Sequence, residues 1–138
     1  MIQAIAQELR LRKDEIKEPI QTIYFGGGTP SIVEPFQIEL LLQAIDKYYL
    51  VDGSPEITME ANPDDITKEH AEVWKSMGIN RFSIGIQSFS DIHLEWMNRA
   101  HNASQSLLCI DIIRSAGFEN FSIDLIYGTP GQSTNDWE

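Results

Sequence analysis

The sequence predicts an α/β chain with a parallel sheet, an open piece of a (βα) barrel with about four βα units. Three observations carry this. Helix-like and strand-like segments alternate in the order α-β-α-β-α-β-α-α-β, the pattern of βαβ units. The strand-like segments hold few charges, as expected where helices cover at least one face. A weak internal repeat relates Ser76-Met77-Gly78-Ile79-Asn80-Arg81-Phe82-Ser83-Ile84 to Ser115-Ala116-Gly117-Phe118-Glu119-Asn120-Phe121-Ser122-Ile123. Each is a helix end, a glycine, a short loop and a strand, the junction that a barrel or regular α/β sheet reuses.

The elements follow in order. Residues 3–17 read as a helix with Ile5, Leu9, Leu11 and Ile16 as its apolar points, stopped by Pro19. Residues 22–25 are a short strand that runs into Gly26-Gly27-Gly28. Residues 35–49 form a helix with Phe36, Ile38, Leu41, Leu42 and Ile45 on its apolar face. Residues 56–60 are the second strand, and Asn62-Pro63-Asp64-Asp65 a turn. Thr67 caps a helix that ends at Gly78. Residues 81–86 are the third strand, and Ser90 caps a short helix to about Asn98. Asn102-Ala103-Ser104-Gln105 is a capping box for a helix that ends at Gly117, and residues 121–127 are the fourth strand.

The 138 residues give room for one domain, read over residues 1–138 without an internal linker. A formal net charge of −11 and the lack of a Lys/Arg run argue against nucleic-acid binding. No apolar run is long enough for a transmembrane helix, and no signal-peptide core follows Met1. The expected compartment is the cytoplasm. Cys109, the single cysteine, excludes an internal disulfide and a Cys-only metal site within the chain. The sequence opens on a helix and closes just after a strand, where residues 131–138 resemble the start of another βα unit. Parallel strands this few cannot close a barrel. The expectation is the central part of a larger barrel; the alternative is a small open sheet, complete as it stands.

In parallel α/β folds, ligands gather at the carboxyl ends of the strands. Four unusual strand ends would therefore share one rim. The first is Gly26-Gly27-Gly28-Thr29-Pro30, where bare backbone lets a ligand approach. It lacks both phosphate-loop patterns, Gly-x-x-x-x-Gly-Lys-Ser/Thr and Gly-x-Gly-x-x-Gly. A tight turn with no ligand is the competing reading. Glu60 ends the second strand, placed to bind a cation or sugar hydroxyl, or to cap a loop through backbone amides. Gln87 follows the third strand and can both donate and accept, toward a ribose or carboxylate; a polar rim residue is the alternative. Asp124 lies inside the apolar fourth strand, where an ionised carboxylate needs a partner, either Arg99 or a ligand. His70, His93 and His101 lack metal-ligand spacing. His70 and His93 are expected to be solvated or capping, and Cys109 an inert core thiol.

Read together, Tyr24-Phe25-Gly26-Gly27-Gly28-Thr29-Pro30-Ser31, Glu60-Ala61-Asn62-Pro63, Gly85-Ile86-Gln87-Ser88-Phe89, Asn98-Arg99-Ala100-His101 and Ile123-Asp124-Leu125-Ile126-Tyr127-Gly128-Thr129-Pro130-Gly131-Gln132 form one ordered set. This set resembles the radical S-adenosylmethionine (SAM) enzymes of the oxygen-independent coproporphyrinogen III oxidase type, including the related haem chaperones. The resemblance implies a partial TIM-like (βα) barrel, of which this chain supplies the second to fifth strands. It implies that Gly27, Gly28 and Thr29 contact the methionine end of SAM. Glu60, Gln87, Arg99 and Asp124 match the family's other SAM-binding positions, and Arg99 suits a carboxylate through its planar fork.

The resemblance also implies a [4Fe–4S] cluster in the full-length protein. The family holds it on Cys-x-x-x-Cys-x-x-Cys, which Cys109 alone cannot replace. The chain as given is thus expected to be inactive. The implied function is oxidative decarboxylation of coproporphyrinogen III propionates in porphyrin and haem biosynthesis, with an electron donor as partner. The alternative is a haem chaperone that binds and delivers haem without turnover. Arg99-Ala100-His101 and the stretch 125–132 look more like the chaperone branch. The open barrel edges invite self-association. A self-contained α/β module whose glycine loop holds a small anion is the remaining reading.

Overall fold

The computed structural model describes residues 1–137, apart from the side chain of Asp136. Helix α1 (Ile2–Leu11) leads into β1 (Ile20–Phe25), and α2 (Pro35–Tyr48) into β2 (Val51–Ala61). Helix α3 (Lys68–Ser76) precedes β3 (Arg81–Gln87), and α4 (Asp91–Trp96) and α5 (Ala103–Ser115) precede β4 (Asn120–Leu125). A short helix, α6 (Thr134–Trp137), follows. Glu138, read from sequence as part of a next unit, lies outside the described residues.

The sheet runs β1-β2-β3-β4 with every pairing parallel, and it does not close: β1 and β4 are its edges. Its two faces differ. Ile57, Met59 and Ala61 of β2 and Phe82, Ile84 and Ile86 of β3 are buried against Ile38 of α2, Ala71 and Trp74 of α3, and Cys109 and Ile113 of α5. The intervening residues Glu56, Thr58, Glu60, Arg81 and Ser83 share the opposite face, because side chains alternate along a strand. Register sets them in rows: Tyr24 beside Thr58 beside Arg81, and Glu60 beside Ser83 beside Ser122. The strands are thus covered by helices on one face and polar on the other.

Both copies of the repeated junction form the same C-terminal cap. After α3, Gly78 donates to the Lys75 carbonyl and Ile79 to that of Trp74; after α5, Gly117 donates to Arg114 and Phe118 to Ile113. Ile79 and Phe118 then bury completely. Lys75 ties the two junctions together, its Nζ 2.7 Å from the Gly117 carbonyl and 4.5 Å from the Phe118 ring centre.

Several boundaries differ from the sequence reading. Helix α1 ends at Leu11 rather than residue 17 and buries no side chain fully, so tertiary packing does not extend it. Arg12 instead pairs with Glu8 and Glu15. Strand β2 starts five residues early, at Val51, because Ile20 and Leu50 begin the β1–β2 ladder. Strand β4 stops at Leu125, two residues short. The capping box of Asn102 and Gln105 is complete, and Thr67 caps α3 through the amide of His70. Ser90 occupies the N-cap of α4 without a side-chain cap bond; its own amide donates to Ser88 Oγ. His93, expected to be solvated or capping, is buried, because α4 turns it inward beside Leu94. No described helix is long and apolar enough to cross a membrane.

Candidate functional site

The carboxyl ends of the strands surround a polar cleft of about 270 Å³. It is lined by Gly28, Thr29, Glu60, Gln87, Arg99 and Asp124, together with Pro30, Ala61, Asn62, Ser83 and Gly85. Of the seven residues matched to SAM binding, only Gly27 is not on that wall, and its amide donates to Glu60 Oε2 at 3.1 Å.

Glu60 joins two elements. Its Oε1 accepts from the Tyr24 hydroxyl at 2.9 Å, so the carboxylate spans β1 and the glycine loop. This is the amide-capped state weighed from the sequence. A carboxylate still offers further lone pairs to a ligand. The hydrogen bond to Glu60, and then burial, push the Tyr24 phenol above its ordinary range, so it remains a donor at neutral pH. The loop requires glycine. A Cβ on Gly26 would sit 2.7 Å from the Tyr24 ring, and Gly27 and Gly28 adopt φ of 81° and 63° with open space beside them. Ser31 ties this loop to the β2–α3 connection: its hydroxyl donates to Asp65 Oδ2 at 2.5 Å and accepts from the Asn62 amide at 3.3 Å.

Arg99 follows α4 and reaches back to β3. Its Nη2 donates to Asn62 Oδ1 at 2.8 Å and to the Gly85 carbonyl at 3.1 Å, while its buried Nε has no hydrogen-bond partner. The expected choice of Arg99 or a ligand for Asp124 resolves differently within the chain. The bond Asp124 makes is a long one from Ser83 Oγ, 3.4 Å. Asp124 is also exposed on the open polar face, so the desolvation that demanded a charged partner does not arise. Gln87 has φ 67°, and the β3–β4 register shifts between Ile84 and Gln87. Such irregularities re-aim side chains at the rims of sheets.

Sequence reasoning did not single out Tyr24, Ser31, Asn62, Ser83 or Asp65 as individual contributors. The two-residue period of the strands is the signal that finds Ser83 and Tyr24, which share the face of Glu60. His70 Nδ1 lies 3.0 Å from the Asp65 carbonyl, a capping role. Cys109 is buried in α5, and burial pushes its thiol up to about 11, which keeps it inert. No cluster of three or more His, Cys, Asp or Glu that could hold a metal exists among the described residues.

Residues 2–138 match the Radical SAM superfamily. The chain belongs to the radical SAM superfamily. Within it, the chain is similar to curated heme chaperones and to a solved coproporphyrinogen III oxidase. It is 41% identical over 116 residues to the heme chaperone HemW of Lactococcus lactis, covering 84% of this chain and 31% of that protein. It is 35% identical over 137 residues to HemW of Haemophilus influenzae, covering 99% of this chain and 36% of that protein. The solved coproporphyrinogen III oxidase HemN of Escherichia coli, a radical SAM enzyme, superposes with a TM-score of 0.89 at 27% identity, over 98% of this chain and 31% of that one. The radical SAM chain thus spans about a third of the length of these relatives.

Membership implies SAM and an iron–sulfur cluster, and the two fit this chain unequally. An unpartnered Arg99 Nε, two carboxylates and bare backbone at Gly27 and Gly28 suit an amino-acid zwitterion carrying a sugar. The cluster does not fit these residues: its thiolates are missing, and Cys109 lies in the core.

Proposed function

We propose that the rim cleft is a SAM-binding site. The observation that carries this is the convergence of Glu60, Gln87, Arg99 and Asp124 on one polar cleft beside the glycine loop. Arg99 would take the ligand carboxylate, since its guanidinium is a planar fork of donors. Glu60 would accept from the ammonium group, beside the backbone of Gly27, Gly28 and Thr29. Gln87 and Asp124 would hold hydroxyl groups of the ribose. Bound SAM supplies the one-electron chemistry for which the superfamily is named. The chain's own part is to bind and orient it. The cluster thiolates would come from residues outside these 138, which would form the central unit of a partial barrel.

Calorimetric titration of SAM into the chain tests the site. Saturable binding is expected, weakened about tenfold or more in Arg99→Met and Glu60→Gln, as loss of a charged hydrogen bond predicts. No heat from a folded chain, or unchanged affinity in both variants, would overturn the reading.

For the whole protein we propose a haem carrier, with haem or a porphyrin as ligand and an electron donor as partner. The identities to proteins named heme chaperone HemW support this. Decarboxylation of coproporphyrinogen III is the second reading, favoured by the close superposition on HemN. The full gene product separates them. A carrier shifts the Soret band of added haem and leaves coproporphyrinogen III unconsumed; an oxidase consumes it.

A further inference from the structure

A three-residue turn with strained backbone closes the end of β3 at the rim. The Ser88 amide donates to the Ile86 carbonyl at 2.8 Å, around Gln87 at φ 67°. This positive-φ γ-turn is rare and strained for a non-glycine residue. It persists only where its surroundings over-determine it.

Hydrogen bonds from three sides hold the turn. The Gln87 carbonyl accepts from the Ile126 amide at 2.9 Å, and the Gly85 carbonyl accepts from Arg99 at 3.1 Å. The Ile86 carbonyl takes a second bond, from Nε2 of His101 at 3.0 Å. A carbonyl has no proton to give, so Nε2 is the donor. The His101 side chain is fully buried, and its Nδ1 makes no hydrogen bond, lying 3.8 Å from Asp64 Oδ1. His101 immediately precedes the capping box of α5, so its backbone is anchored. The ring is a fixed prop behind the turn, while the Gln87 side chain faces the cleft in front of it.

We propose that His101 is a positioning residue: by occupying the second lone pair of the Ile86 carbonyl, it holds Gln87 in the left-handed conformation that directs its amide into the cleft. This rests on the cleft taking SAM. His101 itself lines none of the cleft. Its removal leaves the Ile86 carbonyl with the Ser88 amide alone, relaxes Gln87 toward extended φ, and withdraws the Gln87 amide from the ligand.

The test combines SAM titration with amide hydrogen exchange on the 138-residue chain. His101→Leu is expected to weaken SAM about tenfold, the scale of one lost hydrogen bond. His101→Gln, which can still donate to the Ile86 carbonyl, is expected to restore most of it. His101→Asn, which is too short, is not; that pair carries the comparison should the leucine variant not fold. In the Gln87→Ala background, His101→Leu is expected to add little, because both act through one side chain. Equal losses in both backgrounds would overturn the proposal. Exchange gives a ligand-independent arm: the Ser88 and Ile126 amides should exchange faster in His101→Leu, while those of Ile79 and Phe118 stay protected. Unchanged exchange at Ser88 and Ile126, or uniform acceleration that includes Ile79 and Phe118, would reject the positioning role. If wild-type chain takes up no SAM, the cleft reading fails, and exchange alone decides whether His101 holds the turn.

Discussion

The two faces of β3 are built from alternate residues of one seven-residue strand, yet they do opposite things. Phe82, Ile84 and Ile86 are fully buried against α3 and α5. Arg81, Ser83, Gly85 and Gln87 are half-buried on the polar side, where Arg81 reaches Thr58 and Ser122 and Gln87 reaches the cleft. The covered face supplies stability by removing apolar area from water. The open face can therefore carry charges and strained backbone. The two are coupled at one point, where the Ile86 carbonyl holds both the rim turn and the buried His101.

Substitutions on each face test this contrast. The largest effect is expected behind the sheet. Trp74 packs on Phe82, and Trp74→Ala should lose about 3–5 kcal/mol in urea unfolding. A loss under 1 kcal/mol would mean that the helix-covered face does not carry the fold. On the rim, Arg99→Met leaves Asn62 Oδ1 and the Gly85 carbonyl without that donor and should cost about 1–3 kcal/mol, in addition to its effect on SAM.

Stability is also expected to fall at alkaline pH. The Cys109 thiol is raised from 9.0 to about 11 by burial, so the unfolded chain loses its proton first. The unfolded state then binds fewer protons, and stability falls as pH rises from 9.0 to about 11. Below 9.0 this contribution is fully present. The slope of wild-type unfolding midpoints over that interval should be shallower in Cys109→Val; identical slopes would show that burial of this thiol is not what drives it. The smallest effect belongs to Ser83→Ala. Its bond to Asp124 is long, 3.4 Å, so stability should move by no more than about 0.5 kcal/mol. A larger change would mean that the open face contributes to the fold after all.

Much of the site was legible as residue type at strand ends. Glu60, Gln87, Arg99 and Asp124 were each named from sequence, and all four line one cleft. What they touch was not legible. Glu60 meets Tyr24 and Gly27 across separations of 36 and 33 residues, and Arg99 meets Asn62 across 37. Asp124 read as an apolar-strand charge in need of a partner, because the run around it does not reveal which face of the sheet is open. His93 reads as solvated or capping because a six-residue helix has too few turns to show an apolar stripe.

Local backbone demands were written in single residues: the Asn102–Gln105 box, Thr67 at its cap, Gly78 and Gly117 after their helices, and the strand-helix alternation that implies parallel pairing. These need only near neighbours, so the sequence alone determines them. The reach of β2 back to Val51, the helix-covered and open faces, the turn at Gln87 and the prop of His101 behind it belong to the tertiary structure. Each depends on the register between strands far apart in the chain, and register is decided by which side chains can be buried together.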